Sequence, residues 1–272
     1  TTGATYITAG TYASGVGTAA SPLTYQAAHG LSVGDEIVVA GLGYNNNQVR
    51  FVITVVNSTQ VVVSSTPGGA ETAITNTPAV GAHIGNLTRN SIIKVTNTAR
   101  GYYAVNASDS ISDFSYTRMA YSVCSSVKTL QFQTNSLSTM DGLVLYNNPV
   151  SGRHCMLLPS DALAQTHTGI ILYNTRGSNF SGQSGIGFSG TSNKVFNDCL
   201  HFNGPASADT CAFISLNLSS TANTFNRCHS YGANAGNFIF GYAIGIFSSS
   251  ANTFNNCSVN GARQNAVYFA AG

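Results

Sequence analysis

The sequence predicts an all-β protein: a small N-terminal antiparallel β-domain, residues 1–86, followed by a parallel β-helix, residues 87–272. Three observations predict it. The phrases SNKVFNDC (192–199), ANTFNRC (222–228) and ANTFNNC (251–257) put Cys199, Cys228 and Cys257 at equal steps of 29. Charged residues make up only 7% of 272, so the polar surface falls to Ser, Thr, Asn and Gly, which favour turns and strands. No apolar period of 3.6 persists beyond two turns, so helices are not expected.

The N-terminal region carries the first elements. HGLSVGD (29–35) is a turn-rich lead-in to the strand EIVVA (36–40). VRFVITVV (49–56) and QVVVSS (60–65) read as two strands, and Asn57-Ser58-Thr59 between them has the length of a hairpin loop. TPGG (66–69) closes the unit, and 71–85 reads as a linker.

In the repeat, Phe196, Phe225 and Phe254 align, each followed by two polar residues and a Cys. Asn and Asp tolerate left-handed φ, so each phrase reads strand, tight turn, strand. An apolar strand precedes each phrase: SGIGF (184–188), CAFISL (211–216) and YAIGIF (242–247). The unit is three short strands per coil, about 27–29 residues, with one corner of variable length after the Cys. Such a coil buries its inner face only by stacking, so equivalent residues must match in columns. GLVL (142–145) leading to Cys155, and Ile111 leading to Cys124, read as weaker copies; AVYF (266–269) starts another. GIILY (169–173) lies too close to SGIGF for a full coil and is either a second strand of one coil or an irregular coil. An antiparallel sandwich, the rival fold, gives no reason for equal steps of 29.

Function classes narrow by composition. A net charge of +2 and few Lys and Arg leave no basic patch for nucleic acid. No apolar run reaches the ~18 residues of a membrane span, and no leader peptide is recognisable. The chain opens on Thr1 and stops within a coil, which reads as an excised piece whose last coil is covered by further sequence, a cap or a trimer contact. The cysteines on the repeat read as stacked free thiols rather than a disulfide framework.

The phrases at 222–232 and 251–261 resemble the right-handed β-helices of pectate lyases and bacteriophage tailspikes. HGLSVGD and the hairpin after it are similar to small β-modules of phage tail proteins. The resemblance implies a right-handed helix in a viral tail protein of the virion: a homotrimer that acts extracellularly in host attachment, with bacterial surface polysaccharide (lipopolysaccharide or capsule) as its receptor. It implies an N-terminal side that meets other tail proteins, with no nucleic acid as partner. A polysaccharide depolymerase on the same scaffold, hydrolase or lyase, and a purely structural fibre are the alternatives.

Glycoside hydrolysis takes two carboxylates, and residues one or two coils apart in a column have suitable spacings. The helix region holds Asp109, Asp113, Asp141, Asp161, Asp198 and Asp209 and no Glu. Asp161 and Asp209 fall in the variable connections, where functional loops sit on a rigid scaffold, and are the candidate catalytic pair. Asp198 shares a column with Arg227 and reads as half of a surface pair. His201 and His229 follow the core cysteines and are expected near each other on the outer face. With Tyr231 and Arg227 they are the candidate sugar contacts; Phe202 and Tyr173 are further candidate platforms. No cofactor is expected, and short-spaced ligands for a metal are absent from the pattern.

Overall fold

The computed structural model describes residues 9–42, 46–89, 91–94, 103–104, 117–120, 128–131, 140–146, 154–158, 160, 162–174, 184–202, 212–217, 219–232, 242–261 and 265–270. All of its regular structure is β. Among the described residues no helix is long and apolar enough to cross a membrane.

Six strands form a closed antiparallel barrel: β1 (Ala9–Ser14), β2 (Leu23–Tyr25), β3 (Glu36–Val39), β4 (Gln48–Asn57), β5 (Gln60–Ser64) and β6 (His83–Asn86). The hairpin β4–β5 turns at 58–59 as its sequence requires. The stretch read as a linker instead buries Ile74 and supplies β6, which pairs with both β1 and β3 and closes the barrel. His83-Ile84-Gly85-Asn86 has no β-branched run, so only its long-range partners make it a strand. Leu23, Ile37, Val52, Val61, Val63 and Ile84 fill the interior.

The remaining strands run in chain order. They are β7 (Ser91–Lys94), β8 (Tyr103–Ala104), β9 (Thr117–Ala120), β10 (Lys128–Gln131), β11 (Val144–Tyr146), β12 (His154–Leu158), β13 (Gln165–Thr168), β14 (Ile171–Tyr173) and β15 (Ser184–Ser189). There follow β16 (Lys194–Asn197), β17 (Leu200–Phe202), β18 (Ala212–Asn217), β19 (Thr224–Asn226), β20 (His229–Tyr231), β21 (Tyr242–Phe247), β22 (Thr253–Asn255), β23 (Ser258–Asn260) and β24 (Asn265–Ala270). They build three parallel sheets: β8-β10-β12-β15-β18-β21-β24, then β13-β16-β19-β22, then β7-β9-β11-β14-β17-β20-β23. From β12 onward the chain visits the three sheets in turn, three strands to a circuit.

Register explains the repeated phrase. Phe196 pairs with Phe225 and Phe225 with Phe254; the rings stack at 5.5 and 4.8 Å. Asn226 Nδ2 donates to Asn197 Oδ1 and Asn255 Nδ2 to Asn226 Oδ1, both at 2.9 Å, so each amide satisfies its neighbour along the stack. Cys199, Cys228 and Cys257 are free thiols, and Cys228 and Cys257 donate to the carbonyls of Phe196 and Phe225 one circuit back. The tight turn falls on Asp198, Arg227 and Asn256, with φ of 55°, 52° and 52°. Gly142 and Gly169 occupy the same corner in earlier circuits, where they also have positive φ.

One open reading is decided and one is corrected. GIILY and SGIGF are different strands of one circuit, β14 in the third sheet and β15 in the first. GLVL is likewise a third-sheet strand, so Gly142 aligns with the Asp198 corner rather than with Gly185, and Cys155 lies on β12 of the first sheet, outside the Cys199 column. Short apolar runs look alike whichever sheet they join, so spacing alone put GLVL in the wrong sheet. Ile111 and Cys124 lie outside the described residues.

The central strands of the third sheet, β11, β14 and β17, are buried on both faces. Leu145 and Leu172 point into the stack with Phe188, Phe196 and Phe225. Val144, Tyr146, Ile171, Tyr173, Leu200 and Phe202 point the other way and pack on Val38, Ala40 and Leu87 of the barrel side. Continuous burial, rather than alternation, suits a parallel strand covered on both sides. The approach is close at Gly85, where a Cβ would stand 2.9 Å from Phe202 and 3.1 Å from Val38. Arg118 adds an ion pair to Glu36 at 2.5 Å and lies 3.7 Å above the Tyr146 ring.

Candidate functional site

Two clefts open along the seam between the barrel and the third sheet, and His83 of β6 lines both. The register that stacks the core also sets which side chains reach the seam. Leu200 pairs with His229 and His229 with Ser258, while His201 pairs with Ser230. A one-residue offset sends side chains to opposite faces of a strand. His229 therefore faces the seam and His201 faces the interior.

This overturns the expected outer-face pairing of His201 with His229. His201 is 0% exposed, stacks on Phe213 at 5.6 Å and is joined to Ser230 Oγ through Nδ1 at 2.9 Å. Its Nε2 has no partner among the described residues, and burial lowers its pKa to about 4, which holds the ring neutral at pH 7. His229 instead stacks on His83, ring centres 4.2 Å apart and planes 23° from parallel.

A small network locks this pair. The His83 N–H donates to Tyr231 Oη at 3.0 Å, and the same hydroxyl shares a 2.6 Å hydrogen bond with His83 Nδ1. His229 Nδ1 is joined to Ser258 Oγ at 2.8 Å, one circuit on. Asn47 of the barrel side donates to the Tyr231 carbonyl at 2.9 Å. Burial, and then the neighbouring His229, lower the His83 pKa to about 4, against an opposing pull from Asp198. Burial also lowers that of His229; Asp198 opposes this and Arg227 reinforces it.

The smaller cleft, about 300 Å³, lies between Gly10, Thr11, Ala27 and Ala28 of the barrel side and Asp198 and Arg227 of the stack. Arg227 holds Asp198 in a two-pronged pair, Nε to Oδ1 at 2.7 Å and Nη2 to Oδ2 at 2.9 Å. Both side chains are about half exposed, at 54% and 43%, so the surface pair read from the column is present and adds little stability. The larger cleft, about 410 Å³, has Leu42 and Val80 on the barrel side and His229, Ser258 and Asn260 on the stack side.

Tyr231 lines the larger cleft but is only 4% exposed, its ring stacked on Phe202 at 5.4 Å and its hydroxyl committed to His83. Phe202 and Tyr173 are core, not sugar platforms. Asp161, Asp209, Asp109 and Asp113 lie outside the described residues. Asp141 accepts a hydrogen bond from the Thr168 N–H at 3.1 Å and sits at an isolated bridge to that residue. Among the described residues no cluster of three or more His, Cys, Asp or Glu is placed to hold a metal. The sequence reading missed the barrel wall of the seam; exposed apolar Leu42 and Val80, in loops rich in Gly and Ala, were its only local sign.

No family model and no curated protein matches the chain. Among solved structures it is similar to the crystal structure of the tailspike protein gp49 from Pseudomonas phage LKA1, at 11% identity and a TM-score of 0.26. The match covers 93% of this chain and 46% of that one, so the chain spans less than half the length of the tailspike.

Proposed function

We propose that this chain is the attachment region of a phage tailspike that binds bacterial surface polysaccharide, lipopolysaccharide or capsule, as a homotrimer on the virion tail. In this reading residues 87–272 are a right-handed parallel β-helix and residues 1–86 the domain that carries it. Right-handed crossovers are the rule for parallel strands. The three parallel sheets and the tailspike-like phrases of the sequence support the class.

The observation that carries the function is convergence. Arg227 and His229, both sugar-contact candidates of the sequence, line two neighbouring clefts, and Tyr231 fixes the His83 that lies between them. A stack of matched columns holds such groups in fixed positions, as an extended polymer requires. His201, enclosed in the core, is not part of this surface.

The test is incubation of the purified protein with polysaccharides from candidate hosts, followed by size analysis of the glycan and light scattering of the protein. Intact polysaccharide retained on a trimer supports attachment. Shortened products assign a depolymerase and turn attention to Asp161 and Asp209, whose Asn variants then abolish cleavage. Neither retention nor cleavage leaves the structural fibre; a monomer at micromolar concentration removes the trimer.

A further inference from the structure

We infer that the seam itself is the glycan site, that the barrel supplies half of it, and that it takes an uncharged polysaccharide. This rests on the attachment reading and adds the location and the substrate class.

The first argument is electrostatic. Among the described residues, the walls of the larger cleft carry no Asp, Glu, Lys or Arg. The charges of the smaller cleft, Asp198 and Arg227, already satisfy each other through two hydrogen bonds. Burial lowers the pKa of both the His83 and His229 rings, that of His83 to about 4, which disfavours a cation on either. A uronate, sialate or phosphate group settling here meets no free countercharge among the described residues, which disfavours it.

The second argument is the arrangement of apolar and polar groups. Leu42 and Val80 are 56% and 71% exposed and together give the barrel side of the larger cleft an apolar wall. They stand across the cleft from His229, Ser258 and Asn260. A sugar ring has the matching character, with C–H faces for one wall and hydroxyl edges for the other. Ser258 Oγ is joined to His229 Nδ1 at 2.8 Å and accepts from Asn260 at 3.3 Å, so the three polar groups form one wall of the cleft.

The third argument is continuity. His83 lines both clefts, so the site is elongated along the seam and suits a run of residues rather than a single sugar. The barrel is then a working half of the receptor site and not only an adaptor.

The experiment uses the full chain and a panel of purified bacterial O-polysaccharides and capsules, some uncharged and some bearing carboxylate or phosphate. Binding is measured at about 20 mM and about 500 mM NaCl, which moves the screening length from roughly 20 Å to roughly 4 Å. The expected result is binding of uncharged members, changing less than about twofold with salt. Leu42→Arg and Val80→Arg, both on exposed positions, each weaken it about tenfold or more while the unfolding midpoint stays put. Binding of acidic members that falls more than about tenfold with salt overturns the charge class and leaves attachment standing. Uncharged binding that survives both Arg variants overturns the seam as the site. Binding of no member overturns the attachment reading and this inference with it.

Discussion

Replacing Phe225 with Ala tests the stacked column as the main support of the parallel sheets. Phe225 is fully buried, lies between Phe196 at 5.5 Å and Phe254 at 4.8 Å, and meets the edge of Phe188 at 5.6 Å. Truncating a buried Phe to Ala costs about 3–5 kcal/mol, from lost transfer free energy and an unfilled cavity. Two stacked neighbours place Phe225 towards the upper part of that range, since aromatic pairs contribute about 0.5–1.5 kcal/mol beyond area. Among the described residues Phe254 is the last of the column and is only partly buried, so in this chain Phe254→Ala costs about half as much. The assay is urea unfolding followed by far-UV circular dichroism, with Phe196→Ala/Phe225→Ala closing a double-mutant cycle. The expected coupling is about 0.5–1.5 kcal/mol. Equal costs at Phe225 and Phe254, or a cost at Phe225 under about 1 kcal/mol, refute the column as argued.

Ala222 and Ala251 sit at φ 54°, a left-handed backbone conformation that opposes a Cβ, so Ala222→Gly and Ala251→Gly each raise stability by a few tenths to about 1 kcal/mol; lower urea midpoints for both sink the idea. His167 and His201 are held neutral by burial, at about 3 and about 4, below the ordinary imidazole value near 6.5. The unfolded chain therefore takes up protons first, and stability present above about pH 6.5 is lost as pH falls towards about 4, at about 1.4 kcal/mol per pH unit for each ring. His167 aligns with Phe196, so His167→Phe extends the aromatic column and flattens the unfolding midpoint against pH between 7 and 5; an unchanged slope counts against this account. Gly85→Ala pushes a Cβ against Phe202 and Val38 and loosens the barrel from the third sheet. Limited proteolysis of the variant cuts the connection after Asn86 faster than in the parent, while equal rates show that the seam tolerates the methyl.

The column logic was legible because it is local and repeated. Equal steps of 29, Phe and Cys flanking two turn formers, and an Asp–Arg column each specify a coil that must match its neighbour, and each appears as read: stacked rings, free thiols, left-handed corners and a surface ion pair. What tertiary structure alone decided is the seam. It joins residues 148 and 184 positions apart, His83 and Asn47 to Tyr231, and no spacing in the sequence relates them. Closure of the barrel by β6 depends on β1 and β3, both distant from it in sequence. The opposite fates of His201 and His229 depend on a one-residue difference in register, since alternate side chains leave a strand on opposite faces. Columns are written into neighbouring copies of one phrase, whereas the meeting of barrel and stack is set by the shapes of two finished surfaces.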